Sequence, residues 1–263
     1  MPRRVEQPSK ITETLRTLDG CAPVTGFMNW HAAGEQRDGA VGVYGTHGGV
    51  VICPAMTPPP TTPLDVVDFW VTDGWARGWP SRDQGKRWFN GGPALDADIT
   101  TRFGPLVAHA LAGGLQQWAH SAQASPQSRL ALVLALDQFT RHVHRGSAQA
   151  FSGDARAQAL VQHTLATGAD RSLPWVARVF TYMPLMHAED LALQDECVAR
   201  FAQLSQDVPL ALKERLASNL DFAQKHRQII AQFGRFPHRN AVLGRTNTAD
   251  EEDFLVNGPR FGQ

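Results

Sequence analysis

From Leu64 onward, apolar residues recur at three- and four-residue steps, the spacing that lines one face of an α-helix. Pro63-Leu64-Asp65 opens a short helix carrying Val66, Val67, Phe69, Trp70 and Val71, with Gly74 placed to end it. A second helix is predicted from about Leu95 to Ala119, with Ile99, Phe103, Leu106, Val107, Ala110, Leu111 and Trp118 on its inner face. Ser125-Pro126 supplies an N-cap and a first-turn proline for a third, whose run Leu130, Leu132, Val133, Leu134, Leu136 and Phe139 continues toward Gly146. Asp154 is placed to cap another helix, through Leu160, Val161 and Leu165 to Gly168. Pro174 to Tyr182, Leu185 to Leu204 and Leu210 to Phe233 add three helical stretches. Thr248-Ala249-Asp250-Glu251 has the spacing of a capping box and starts a short terminal helix ending near Leu255.

No strand alternation follows residue 64. The expected class is therefore all-α: antiparallel helix pairs in a bundle or a degenerate tetratricopeptide-like solenoid, since no clean repeat is visible. Residues 64–263 form the expected helical domain. Residues 1–63 have a different texture, with Gly34, Gly39, Gly42, Gly45, Gly48 and Gly49 around weak alternation at Val41, Val43 and Val50 to Ile52, followed by Pro54, Pro58, Pro59, Pro60 and Pro63. Such a stretch reads as a flexible or weakly structured, non-helical extension. A small hairpin near 41–53 is the other reading, and Met56 raises a further one, that residues 1–55 lie outside the folded domain.

Between these regions Trp75, Trp79, Trp88 and Phe89 crowd one loop. That much apolar area is expected to fold back over the core; an aromatic stacking surface for a ligand is the sharper alternative. The 263 residues suffice for one or two domains with a sizeable core. Twenty-five basic and 25 acidic residues leave a formal charge of zero, so no global field recruits nucleic acid or an anionic membrane. Cys21, Cys53 and Cys197 lack disulfide or zinc spacing, which suits a reducing compartment, and a cytoplasmic location is expected. No apolar run approaches the roughly 18 residues of a spanning helix, and the basic start lacks the apolar core of a secretory signal.

Against this background the ionic residues bunch into three segments at helix ends. In the first, Asp137, Arg141 and Arg145 recur every four residues beside Gln138. They make either a local acid–base ladder or, because Asp137 follows a buried apolar run, a carboxylate that requires a partner. In the second, His187, Asp190 and Gln194 share a predicted helical face, with Glu189 to the side and Pro184 setting the first turn. The two acids fit a helix start, while His187 beside an acid fits a proton carrier near neutral pH. In the third, Phe233-Gly234 ends a helix, Arg235-Phe236-Pro237 turns the chain, and His238-Arg239-Asn240 opens the next helical start. Backbone N–H groups there, with Arg235, Arg239 and Arg245, make a receptor for carboxylate or phosphate, or else close helix ends and pair with Asp137 and Glu189.

His187, His238, Glu189 and Asp137 together lack metal-diagnostic spacing, so no metal is assigned and any cofactor stays unknown. The glycines from 42 to 49 lack the Gly-Lys-Ser/Thr ending of a phosphate loop. No Gly-x-Ser-x-Gly elbow is present, and Cys197 sits among core-spaced residues.

Asp68-Phe69-Trp70, Ile99 to Gly104, Leu130 to Arg145, Tyr182 to Asp190 with Gln194, and Phe233 to Arg245 followed by Thr248 and Glu251 together resemble a bacterial helical family, domain of unknown function 924, from about Val66 to Leu255. The resemblance implies a helical fold related to tetratricopeptide-like proteins and no established reaction. Two positions depart from the family pattern: His142 stands where it has asparagine, and Met186 where it has glutamate.

Two functions follow as expectations. The first is a cytoplasmic enzyme acting on a small anionic substrate, carboxylate or phosphate. Arg141, Arg145, Arg235, Arg239 and Arg245 form the clamp, Gln138, Gln194 and Asn240 also bind, and His187 and His238 are acid–base groups oriented by Asp137 or Glu189. The second is a scaffold gripping an acidic or C-terminal peptide with the same arginines. The sequence assigns no oligomeric state.

Overall fold

The structure, a computed structural model, describes residues 61–259 and the backbone of Val43–Thr46 and Gly49–Ile52. The chain divides into two units, Met1–Pro58 and Pro59–Gln263. In the first, β1 (Val43–Thr46) pairs antiparallel with β2 (Gly49–Ile52), Val43 opposite Ile52. The weak alternation there takes the hairpin form. The remaining expectations for residues 1–60 lie outside the described residues.

The second unit is helical throughout its described residues, as the periodicity requires. Its elements are α1 (Pro63–Val71), α2 (Gly74–Arg77), α3 (Gly85–Asn90), α4 (Gly92–Leu111), α5 (Gln117–His120) and α6 (Pro126–Val133). After them come α7 (Thr140–Val143), α8 (Asp154–Ala166), α9 (Trp175–Met186), α10 (Leu191–Asp207), α11 (Lys213–Phe233) and α12 (Ala249–Asn257). Capping boxes start three of them. Thr62 with Asp65 opens α1, Ser125 with Ser128 opens α6, and Thr248 with Glu251 opens α12. The helix expected from Leu95 to Ala119 breaks after Leu111, where Gly113 turns the chain at φ +89°.

The core is aromatic and edge-to-face. Trp70 meets Phe139 with ring centroids 5.4 Å apart, Phe69 meets Phe103 at 4.9 Å, and Trp88 meets Phe180 at 5.0 Å. Trp88 is buried and donates its Nε1–H to the Trp70 carbonyl at 2.9 Å, so the tryptophan loop does fold back over the core. α10 lies along both α9 and α11, while α1 packs on α6 and α4 on α7. A smaller apolar cluster, Ile229, Ile230 and Phe236 with Phe233 and Phe254, joins α11 to α12.

One irregularity positions chemistry. Between α6 and α7 the helix widens into a π segment, Leu134–Phe139, which contains Asp137 and Gln138. The Thr140 hydroxyl donates to the Ala135 carbonyl at 2.8 Å across the widened turn. Gly153, just before α8, sits against this segment. A Cβ there would stand 2.1 Å from the Leu136 carbonyl oxygen, so only glycine allows the start of α8 to come this close.

Candidate functional site

The π segment and the end of α9 meet through Asp137 and His187. Asp137 is 0 % exposed, and its Oδ1 accepts a hydrogen bond from His187 Nδ1 at 2.7 Å. Its Oδ2 accepts from the Gln138 amide. An ionised carboxylate only accepts, so the imidazole proton sits on Nδ1 and Nε2 keeps its lone pair.

His187 does not share a helical face with Asp190 and Gln194, contrary to the sequence pattern. Pro184 lies inside α9, not at the start of the next helix, and His187 closes α9, its N–H donating to the Met183 carbonyl at 3.1 Å. Asp190 caps α10 by accepting from the Leu193 N–H at 3.0 Å. Gln194 is buried beneath the turn and donates to the carbonyls of Met186 and Ala188 at 2.7 and 2.8 Å. Arg239 donates to the carbonyl between them, that of His187, at 3.1 Å. Three successive carbonyls are thereby held, and the imidazole they carry is held with them.

A second layer surrounds the pair. Arg141 donates to the Asp137 carbonyl at 2.8 Å, lies 3.4 Å from the Asp137 carboxylate, and grips Asp154 with two bonds of 2.9 and 3.0 Å. Asp154 was expected to cap α8, but Gly153 holds that position and the Asp154 carboxylate turns to Arg141 instead. Arg239 approaches the same carboxylate at 3.6 Å. Its guanidinium lies between two rings, 4.6 Å from the centroid of Phe151 and 4.4 Å from that of Phe236.

The electrostatics follow from burial. Burial alone would raise the Asp137 carboxyl, but His187 and Arg141 outweigh it and hold the group well below the usual carboxylate range. Burial lowers His187 despite Asp137, so the imidazole is neutral at pH 7. Burial, reinforced by Arg141, lowers Arg239 to about 10. His238 is pushed down to about 4 by burial and then by Arg239, and its ring lies 5.5 Å from that of Phe236.

The rest of the expected clamp is engaged elsewhere. Arg145 binds Asp96 at 2.7 and 3.0 Å, and His142 meets the same carboxylate at 2.6 Å. Arg235 forms two bonds to Glu251, at 2.6 and 2.7 Å, and Arg245 two to Glu189, at 2.6 and 2.9 Å. Asn240 donates to Asn247 at 2.8 Å and to Glu251 at 3.3 Å. The expected helical start at His238 is a single 3-10 turn, Pro237–Arg239, and the Phe236 N–H ahead of it donates to Glu189 at 2.8 Å. The anion received there is the chain's own Glu189. Burial would raise that carboxyl, yet Arg245 and the Phe236 N–H hold it below its ordinary value.

Sequence reasoning missed Asp154, Phe151, Asp96 and His226. His226 is buried with its ring centroid 6.4 Å from that of His187, and burial lowers it to about 3. Its position on the inner stripe of α11, three residues before Ile229, was the available signal. Among the described residues, no three His, Cys, Asp or Glu side chains converge as metal ligands, and no helix is long and apolar enough to cross a membrane.

Comparison with curated proteins finds no match. A solved structure of a protein of unknown function from Agrobacterium tumefaciens is 33 % identical, with a TM-score of 0.60 over 74 % of this chain and 97 % of that one. The sequence profile of a bacterial protein family of unknown function, DUF924, matches residues 66–259. The chain belongs to the DUF924 family.

Proposed function

We propose that this protein is a cytoplasmic enzyme acting on a small anionic substrate, a carboxylate or phosphate, by general acid–base chemistry at His187. Asp137 orients the imidazole and stabilises the imidazolium that forms when Nε2 takes a proton. Arg239, with Arg141 behind it, holds the anion. The observation that carries this reading is the unused donor of Arg239. This side chain is 6 % exposed, and its Nε is buried without a hydrogen-bond partner, beside a histidine whose own proton is already fixed. His238 and Glu189 have smaller roles here than in the sequence reading, because His238 sits behind Phe236 and Glu189 is occupied by Arg245.

The alternative, a tetratricopeptide-like scaffold for an acidic peptide, is less favoured. Arg145, Arg235 and Arg245 each already face a carboxylate of this chain. A thermal-shift screen of small carboxylates and phosphates tests the enzyme reading. A hit should be lost in Arg239→Ala. In His187→Gln it should still bind, while turnover falls by about 10²–10⁴-fold. Failure of every small anion, with an acidic peptide binding in their place, would favour the scaffold.

A further inference from the structure

Outside this site, a cleft of about 610 Å³ lies between the 3-10 turn Ala169–Ser172, α9 and α10. Its lining is evenly charged: Arg171, Arg178 and Arg200 face Asp170, Glu196 and Asp207. The volume falls within the range of small-molecule pockets, roughly 300–1,000 Å³.

Two of the lining charges are buried, which is costly unless something requires it. Asp170 is 1 % exposed and Arg178 6 %. They do not form an ion pair with each other. The Tyr182 hydroxyl stands between them, donating to Asp170 Oδ2 at 2.7 Å and accepting from Arg178 Nε at 3.2 Å. Burial, then Asp170, pushes that phenol up to about 12, so it stays a neutral spacer.

Each charge therefore keeps capacity in hand. Asp170 Oδ1 has no hydrogen-bond partner, and the nearest cation, Arg200, stands 3.8 Å from the other oxygen while bonding Glu196 at 2.7 Å. Arg178 reaches Asp207 only at 3.5 Å, at the limit of a hydrogen bond. Arg171, on the rim, is exposed.

We propose that this cleft binds a small zwitterion of the amino-acid type, its carboxylate received by Arg178 and Arg171 and its ammonium by Asp170 and Asp207. A simple anion would meet three carboxylates on the same walls, and a simple cation three guanidiniums. A ligand carrying both charges matches the separation that Tyr182 maintains. The proposal is independent of the His187 site.

The test is calorimetric titration of the full chain with each standard L-amino acid, then with the N-acetyl and C-amide derivatives of any that binds. One or more free amino acids should bind, and masking either charged end should weaken binding by about tenfold or more. Arg171→Ala, a substitution on the exposed rim that leaves the buried charges in place, and Asp170→Asn, which keeps the side-chain shape, should each weaken it similarly. His187→Gln should bind as the parent does. The proposal is overturned if no free amino acid binds at about 10 mM, if an N-acetyl derivative binds as well as its parent, or if Arg171→Ala and Asp170→Asn both bind normally. The second of these outcomes would make the cleft a plain anion site.

Discussion

Gly153 presses its backbone against the carbonyl of Leu136 so closely that no side chain fits between them. This contact sets the height of α8 over the π segment, and with it the reach of Asp154 to Arg141. Gly153→Ala should therefore destabilise the helical unit by at least about 1–3 kcal/mol, since the obstacle is backbone and cannot swing aside. Urea unfolding checks it. A variant as stable as the parent would mean that the two segments separate easily.

Arg141 serves two carboxylates, Asp137 and Asp154, in a setting almost closed to solvent. Arg141→Met removes the cation and strands both. The expected loss is about 3–5 kcal/mol, the range for breaking one partner of a buried pair. Combining it with Asp154→Asn should recover part of that loss, and a double-mutant cycle by chemical denaturation measures the coupling.

Stability should fall as the solution is acidified, in two stages. His226 and His238 are lowered to about 3 and about 4, so between the unfolded histidine value of about 6.5 and those values the unfolded chain binds protons that the folded chain refuses. Their contribution is complete above about pH 6.5 and is lost on the way down. Asp137, held low in the fold, adds stability above its unfolded value of about 4 that disappears below it. Denaturation midpoints measured from pH 8 to pH 4 should decline, and His226→Gln should flatten the upper part of the slope. A histidine NMR titration placing His226 near its unfolded value would contradict the assignment.

A chain beginning at Met56 should keep the helical fold and most of its melting temperature. The capping box of α1 begins at Thr62 and the family match at residue 66, and the second unit starts at Pro59. Circular dichroism of the shortened chain provides the check, and a large fall in melting temperature would show that the first unit supports the second.

The parts of this architecture legible in sequence were those written in neighbouring residues. Ser125-Pro126 and Thr248 to Glu251 announced their helices because a cap is a contact across three residues. Asp137 was legible as a buried acid needing a partner because an apolar run leads into it. The partners themselves were not. Arg245 and Glu189 are 56 residues apart and Arg145 and Asp96 49, distances over which periodicity carries no pairing information. Asp154 was misread because an acid at the start of a helix satisfies a capping pattern whether or not its side chain caps. His187 was set on the wrong element because proline is tolerated near helix ends as well as at helix starts, and here Pro184 lies in the last turn of α9.

The π segment has a consequence for how this chain tolerates change. Its wider turn sets the two halves of one helix out of phase, so that Asp137 reaches His187 while His142, one turn further on, reaches Asp96. Removing a single residue between Leu134 and Phe139 would restore an ordinary helix and rotate everything after it by about 100°. Arg141 and His142 would leave their carboxylates together. In this stretch length carries more information than identity, and substitutions can be explored one at a time, whereas an insertion or deletion rewrites the dyad and its anchor in the same event.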